Sequence, residues 1–226
     1  MGNRKVTFSE NEFYHVYNRG TDKRKVFLDQ ADYYRFIQLL YLTNTTSSIN
    51  VRDITKLHSN VFDWKRPDVL VAIGTYCLMP NHFHILLTPH TDDGVKNFML
   101  KLSTGYSMYF NKKYFRTGSL FEGRFKSEYV NEDRYLKYLF SYIHLNPVKL
   151  IQSDWREQGI KNMNATLNYL NTYQYSSYLD HEYSRQQSAV INRKPFPNYF
   201  DTKSAVDKEL TDWLSYKEAF TKARPS

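Results

Sequence analysis

The sequence predicts an α+β fold in which helices pack on an antiparallel sheet. Four segments have the alternating or continuously apolar pattern of strands, three have the 3.6-residue period of amphipathic helices, and the two kinds are interspersed. Their order is strand, helix, strand, strand, helix, strand, helix. The first six elements follow the split βαβ order of a ferredoxin-like or RRM-like domain, with the helices on one side of the sheet.

The first half of this order contains a strand, a helix and a buried strand. Residues 13–18 (FYHVYN) alternate and are rich in strand formers. Asp29 is expected to cap a helix whose apolar side chains recur at helical spacing over 33–40. Residues 44–68 are polar and aperiodic, which predicts a long loop or insertion. The apolar run over 69–79 predicts a buried strand.

The second half begins with a hairpin, because residues 82–88 alternate after a Pro-Asn break. Asp92 or Asp93 then starts a long helix with an apolar stripe. Residues 121–130 predict a fourth strand. Asn131 is expected to cap the next helix, which ends before a proline. A last amphipathic helix is expected near the C-terminus, with four apolar side chains on its buried face: Val206, Leu210, Trp213 and Leu214.

Composition indicates a polyanionic partner. The 226 residues carry a net charge of +8, and 17% are aromatic, including 20 Tyr. Positive charge mixed with aromatic rings suits unpaired bases, which stack on rings while phosphates meet Lys and Arg. The one cysteine, Cys77, excludes an internal disulfide and predicts a reducing, cytoplasmic location. No apolar stretch is long enough for a transmembrane helix, so we expect no membrane partner.

His82 and His84 occupy alternate positions of a predicted strand. Alternate side chains share one face, so the two imidazoles can converge on one ion while Phe83 points into the core. Two core or surface histidines without a ligand role would show the same spacing. Two ligands are also an incomplete set. The pattern therefore predicts a divalent-metal site only if another residue, distant in sequence, completes it.

The helix around Tyr142 presents a second candidate group. Tyr138, Tyr142 and Asn146 are spaced four apart and form a ridge beside the buried stripe. The Tyr142 phenol can then lie at the edge of the sheet, with the Asn146 amide oxygen one turn further on. An ordinary core-edge tyrosine and a helix-capping asparagine fit equally well. With 20 Tyr in the chain, spacing alone does not choose a nucleophile.

Cationic residues flank these groups and are candidates for a phosphate path. They are Arg19, Lys23, Arg24, Lys25, Arg116, Arg124, Lys126 and Lys149. For any one of them, solvated surface charge is the alternative interpretation. The sequence has no P-loop, no dinucleotide fingerprint, no Cys-x-x-Cys pair and no Gly-x-Ser-x-Gly elbow, which excludes several other enzyme classes.

Five longer motifs follow one another along the chain. They are YHVYNRG (14–20), YCLMPNHFHILLTP (76–89), GSLFEGRFKS (118–127), SYIHLNPVKL (141–150) and YQYSSY (173–178). This set resembles the single-tyrosine HUH transposases, and more closely their REP-associated tyrosine transposase branch. Several motifs in register are far more specific than His-x-His alone.

The resemblance implies an HUH nuclease fold in which His82 and His84 ligate a divalent metal, Mg²⁺ or Mn²⁺. It places the catalytic tyrosine at Tyr142 rather than in the preceding long helix. Asn146 falls where the wider family carries a polar third ligand. Residues 1–150, with the insertion 44–68, are then the catalytic domain, and residues 151–226 a C-terminal extension that packs on it.

The resemblance also implies a reaction and a partner. The Tyr142 oxygen attacks a phosphodiester of single-stranded DNA next to a REP-like hairpin, which forms a 5′-phosphotyrosyl enzyme and frees a 3′-OH. Reversal by another 3′-OH rejoins strands. Related enzymes include monomers and homodimers, and both states stay open. Two alternatives also stay open: a module that binds single-stranded nucleic acid without cutting it, and a metal-dependent hydrolase with a water nucleophile.

Overall fold

The computed structural model describes residues 7–181, 185–199 and 202–215. This part of the chain contains four strands, seven α-helices and five short 3₁₀ helices. The strands are β1 (Phe13–Arg19), β2 (Val71–Met79), β3 (His82–Pro89) and β4 (Lys126–Val130). The helices are α1 (Gln30–Leu42), α2 (Val51–Leu57), α3 (Gly94–Lys113), α4 (Asp133–Leu145), α5 (Trp155–Gln158), α6 (Met163–Thr172) and α7 (Lys203–Ser215).

The strands form one antiparallel sheet in the order β2-β3-β1-β4. This arrangement confirms the predicted α+β class and the ferredoxin-like strand order. β3 lies at the centre, between β2 and β1, and its pairing with β1 sets His84 opposite Tyr17 and His82 opposite Arg19. Side chains of these paired residues lie on one face of the sheet.

α1 and α3 cover one face of the sheet. Phe83, Ile85 and Leu87 point to this face and are fully buried against side chains such as Phe36 and Phe98. α1 begins at the predicted cap, where Asp29 and Asp32 form a reciprocal capping box. These helices confirm the apolar stripes that the sequence predicted.

α1 and α3, the two helices of the predicted split βαβ order, lie on one face as expected, whereas α4 and the chain after it cover the opposite face. Leu86 of β3 and Ala72 of β2 pack there with α4 side chains that include Leu139 and Ile143. The physical reason is that β2 is buried along its whole length on both faces. A strand that is apolar on both faces needs a layer on each side.

Residues 44–68 were predicted as a long loop but contain α2 and a short 3₁₀ turn. Asn50 and Asn60 cap these two elements, since each side-chain oxygen accepts a backbone N–H. Ile54 and Val61 are buried in the main core. Elements this short do not complete enough turns to show a hydrophobic period, which is why the sequence pattern missed them.

Two boundaries near β4 also differ from the prediction. The strand begins at Lys126 rather than at residue 121, because Gly123 has φ of +110° and bends the chain before it. Gly20 and Phe121 form only an isolated bridge. Glu132, and not Asn131, is the residue that precedes the first turn of α4, and it makes no side-chain cap bond.

Residues 175–176, after α6, lie along the edge of β2 that does not pair with β3. Leu78 N–H donates to the Tyr175 carbonyl at 2.9 Å, and Cys77 bridges Ser176. Gly74 is needed for close approach, since a Cβ there would lie 2.9 Å from the Phe196 ring. α7 confirms the predicted last helix, while the division of the chain at residue 150 stays a prediction. Within the described residues, every helix is too short or too polar to cross a bilayer.

Candidate active site

The β2–β3 hairpin presents the two histidines on the face that α4 covers. The centroids of the His82 and His84 rings lie 5.1 Å apart, with an interplanar angle of 89°. Phe83 points to the other face and is fully buried, which fixes the hairpin on the sheet. His82 is half-buried and His84 is buried. The strand therefore delivers a close, rigid pair of imidazoles, as the alternation predicted.

A neighbouring residue orients each imidazole through Nδ1. His82 Nδ1 lies 2.6 Å from Asn81 Oδ1, and the Asn81 Nδ2 donates to the Lys23 carbonyl, so the amide oxygen faces the histidine. An amide oxygen only accepts, so His82 carries its proton on Nδ1 and its lone pair on Nε2. His84 Nδ1 lies 2.9 Å from Nε2 of His15, a buried residue of β1.

His15 stands in a row of groups that crosses β1. Its Nδ1 lies 3.8 Å from Oε2 of Glu128, which is beyond a direct hydrogen bond but close enough for electrostatic attraction. Tyr17 and Tyr135 donate to the two Glu128 oxygens at 2.9 and 3.1 Å. The approach of His15, followed by the Tyr17 hydroxyl, lowers the pKa of Glu128 to about 2 despite partial burial.

Burial keeps the histidine pair uncharged. Together with the nearby charges of Lys149 and Arg19, it lowers the pKa of His82 to about 4. Burial is also the main cause that lowers the pKa of His84 well below its usual value, followed by His15, His82 and Lys149, and then by Arg156. Neutral imidazoles at neutral pH offer nitrogen lone pairs, which metal binding requires.

α4 brings the Tyr142 phenol to these histidines within the same chain. The Tyr142 ring centroid lies 5.7 Å from that of His84 and 6.2 Å from that of His15, nearly edge-on in both cases. Tyr142 is half-buried, at the side of the apolar stripe that docks α4 on the sheet. The guanidinium carbon of Arg156 lies 4.8 Å from the centroid of the same ring.

Asn146 lies one turn beyond Tyr142 and is buried, with 1% of its surface exposed. Its Nδ2 donates to the Tyr142 carbonyl at 2.9 Å, so the side chain closes the end of α4. This bond leaves Oδ1 as an acceptor. Among the described residues, no three His, Cys, Asp or Glu side chains form a group able to hold a metal. The ligand role expected of Asn146 stays a prediction.

A cavity of about 300 Å³ opens beside the histidine pair. Its wall includes three of the predicted cations, Arg19, Lys23 and Lys126, together with the carboxylate of Glu122. Arg19 forms an ion pair with Glu122, so its charge is partly neutralised. Imidazole nitrogens, which are able to bind metal, and positively charged side chains therefore line the same cavity.

The remaining predicted cations are divided between this site and other surfaces. Lys149 is near enough that its charge lowers the pKa of His82. Arg24 is held by Asp22 and the Thr21 carbonyl, and Lys25 is exposed beside it. Two others lie outside the cavity wall: Arg116 is bonded to Asn111, and Arg124 lines a separate cavity next to α3.

Three residues that were not predicted as site residues take part in the site, although His15 and Asn81 lie within two of the motifs. His15 and Asn81 orient the histidine pair, and Arg156 covers the Tyr142 ring. Alternation along β1 places His15 on the face of Tyr17, but the strand register is needed to set it beside His84. No local pattern marks Arg156.

A sequence model of the family described as "Transposase IS200 like" matches residues 13–146, which is more than half of the chain. No curated protein matches in sequence.

Two solved structures are similar in shape. One is a REP-associated tyrosine transposase bound to a REP hairpin, with 13% identity, 80% of this chain and 85% of that chain covered, and a TM-score of 0.48. The other, from Deinococcus radiodurans R1, is described as a transposase, with 17% identity, 63% and 95% covered, and a TM-score of 0.33. The family assignment rests on the sequence match and not on these structures.

Proposed function

The chain belongs to the IS200-like transposase family, and from that premise we propose that it nicks and rejoins single-stranded DNA through a covalent link to Tyr142. The observation that carries this proposal is the position of the phenol, whose ring lies 5.7 Å from that of His84, a residue that lines the cation-rich cavity. A tyrosine that served only the core would not need buried, oriented histidines at its edge.

The reaction exchanges one phosphoester for another. The Tyr142 oxygen attacks the phosphorus, the phenol gives up its proton, and the bond from phosphorus to the 3′ oxygen breaks. The products are a 5′-phosphotyrosyl enzyme and a 3′ oxygen that gains a proton. Attack by a 3′-OH on the phosphotyrosyl bond runs the same exchange backwards and rejoins the strand, so no external energy source is needed.

His82 and His84 would hold a divalent metal, Mn²⁺ or Mg²⁺, with Asn146 Oδ1 as a third ligand. The two histidines support this proposal, because both imidazoles are neutral and Asn81 and His15 lie against their Nδ1 atoms. When bound, the metal would polarise the scissile phosphate and offset its developing charge. The protein's own part is to orient the imidazoles and to keep the nucleophile beside them.

The DNA path is proposed to run over Arg19, Lys23, Lys126 and Lys149, which lie at or near the cavity. Such residues neutralise phosphates without reading sequence. The motifs that resemble the REP-associated branch support a hairpin next to the cut as the substrate, and DNA in the cytoplasm as its source.

The direct test is incubation with labelled single-stranded hairpin DNA and Mn²⁺, followed by denaturing electrophoresis. Wild type should give a slower-migrating covalent band. Tyr142→Phe should bind the DNA with nearly unchanged affinity and give no band, while the matched control Tyr138→Phe, one turn away on α4, should still give it. An adduct that persists in Tyr142→Phe would reassign the nucleophile.

Two other outcomes would replace the proposal. Cleavage without a protein-linked product would indicate a hydrolase with a water nucleophile. Salt-dependent DNA binding without any cleavage in wild type would indicate a binding module.

A single chain supplies both the phenol and the histidines, which supports action in cis. A mixture of His84→Ala and Tyr142→Phe should therefore form no adduct, because neither chain contains a whole site. Recovery of activity in the mixture would show that α4 is exchanged between two subunits.

A further inference from the structure

Arg156 lies outside the segment that matches the family and follows the last motif residue of the proposed active site. It belongs to the one-turn helix α5, which the chain reaches after the 3₁₀ turn that ends α4. Its neighbour Trp155 is 2% exposed and packs in an apolar cluster with Leu145 and Val148. This cluster fixes α5 beside the end of α4.

The Arg156 side chain turns from this anchor to the candidate nucleophile. Its guanidinium carbon lies 4.8 Å from the Tyr142 ring centroid, within the range of a cation–π contact. Its Nε and Nη2 atoms are shielded from solvent, so little water screens their charge.

We propose that Arg156 is a further active-site residue, which holds the Tyr142 ring against His84 and stabilises the negative charge that passes from the phenol oxygen to the scissile phosphate. This inference rests on the proposed nucleophilic role of Tyr142. A guanidinium is suited to the task, because it stacks on an aromatic face and also presents a planar fork of donors that matches phosphate oxygens.

The charge argument explains why such a residue is needed. A tyrosine hydroxyl is uncharged at neutral pH, and the attack creates negative charge between the phenol oxygen and the phosphate. A fixed cation at that place costs no reorganisation during the reaction and favours the transition state over the bound substrate. The effect should therefore appear in the rate of adduct formation and not in DNA affinity.

The test compares Arg156→Gln and Arg156→Lys with wild type. The rate of adduct formation is measured at saturating hairpin DNA and Mn²⁺, and DNA affinity and melting temperature are measured separately. Arg156→Gln should lower the rate by about 100-fold or more, the loss found when one transition-state donor is removed. Arg156→Lys, which keeps the charge but loses the planar fork of donors, should recover part of the wild-type rate. Both should bind DNA within about threefold of wild type, since binding depends mainly on other phosphate contacts.

Arg52→Gln is the matched control, because Arg52 is an exposed arginine of α2. It should react at the wild-type rate. The inference is wrong if Arg156→Gln also reacts at that rate, if its loss lies wholly in DNA affinity, or if Arg156→Lys recovers nothing at an unchanged melting temperature. If the wild type forms no adduct, the proposed function itself is contradicted. The failure of the Arg156 inference and the failure of the proposed function are therefore distinguishable.

Discussion

We predict that removal of the hydrogen bond between His15 and His84 weakens the affinity for metal. His15→Phe keeps a ring of similar size beside Tyr17, whose centroid lies 5.0 Å away, but removes the nitrogen that faces His84 Nδ1 at 2.9 Å. His84 is 7% exposed, so little water can replace the lost partner. The change therefore isolates the orienting bond from the packing.

The expected magnitude follows from the cost of an unsatisfied buried N–H. That cost is about 1–3 kcal/mol, and about 1.4 kcal/mol corresponds to a factor of ten in a binding constant. If His84 must keep its proton on Nδ1 to bind metal through Nε2, the Mn²⁺ affinity should fall by roughly 5- to 150-fold. Loss of residues that orient metal ligands typically weakens affinity by about 10- to 100-fold, which agrees.

The assay is a titration with Mn²⁺ in which the free ion is measured by electron paramagnetic resonance, so no activity is needed. His90→Phe is the control, since His90 is exposed directly after β3. His15→Phe with wild-type affinity would refute the orienting role, and an equal loss in His90→Phe would show a non-specific effect. A wild type that binds no Mn²⁺ would contradict the proposed metal site itself.

Three further predictions concern the DNA path, the buried thiol and the loss of folding stability at low pH. Lys23→Gln and Lys126→Gln should each weaken DNA binding for all sequences and reduce by about 1 the slope of the logarithm of the binding constant against the logarithm of salt concentration. An unchanged slope would show that the residue does not contact the DNA path. Cys77 is fully buried and burial raises the pKa of its thiol, so a thiol reagent should label it only as fast as the protein unfolds, and rapid labelling of the native protein would contradict this burial. The hydrogen bond from Lys113 lowers the pKa of Asp29, so the folded state binds that proton less readily than the unfolded chain; the stabilisation is full above about pH 4 and is lost below it. Asp29→Asn, which keeps a capping side chain, should therefore lose less stability than wild type when urea unfolding is compared between about pH 5 and about pH 2, and equal losses would contradict the assignment.

Local patterns in the sequence were enough for most of the sheet and its helices. Period-2 alternation over 82–88 placed both histidines on one face, and the continuous apolar run before it identified β2 as a buried strand. The Asp29 cap fixed the start of α1. These features depend on neighbours within a few residues, so they can be recognised without knowing the rest of the fold.

Sequence patterns predicted less where an element is short, and they did not show on which face of the sheet a helix packs. α2 has only two turns, and its N-cap is Asn50, a residue type that also suits loops. The place of α4 on the opposite face could not be read from its own stripe, because a stripe shows that a helix is buried but not against which surface. The predicted division of the chain at residue 150 stays a prediction.

The amino-acid sequence by itself determined which side chains could do chemistry, namely two histidines on one strand face and a tyrosine ridge on a helix. Only the tertiary structure decided that they meet, with His15 at 2.9 Å behind His84 and Arg156 at 4.8 Å over Tyr142. The reason is physical: periodicity records burial of each element separately, whereas strand register and helix docking follow from contacts between residues far apart in the chain. Arg156, held by the apolar cluster around Trp155, had no local signal because its position is set by the packing of other residues.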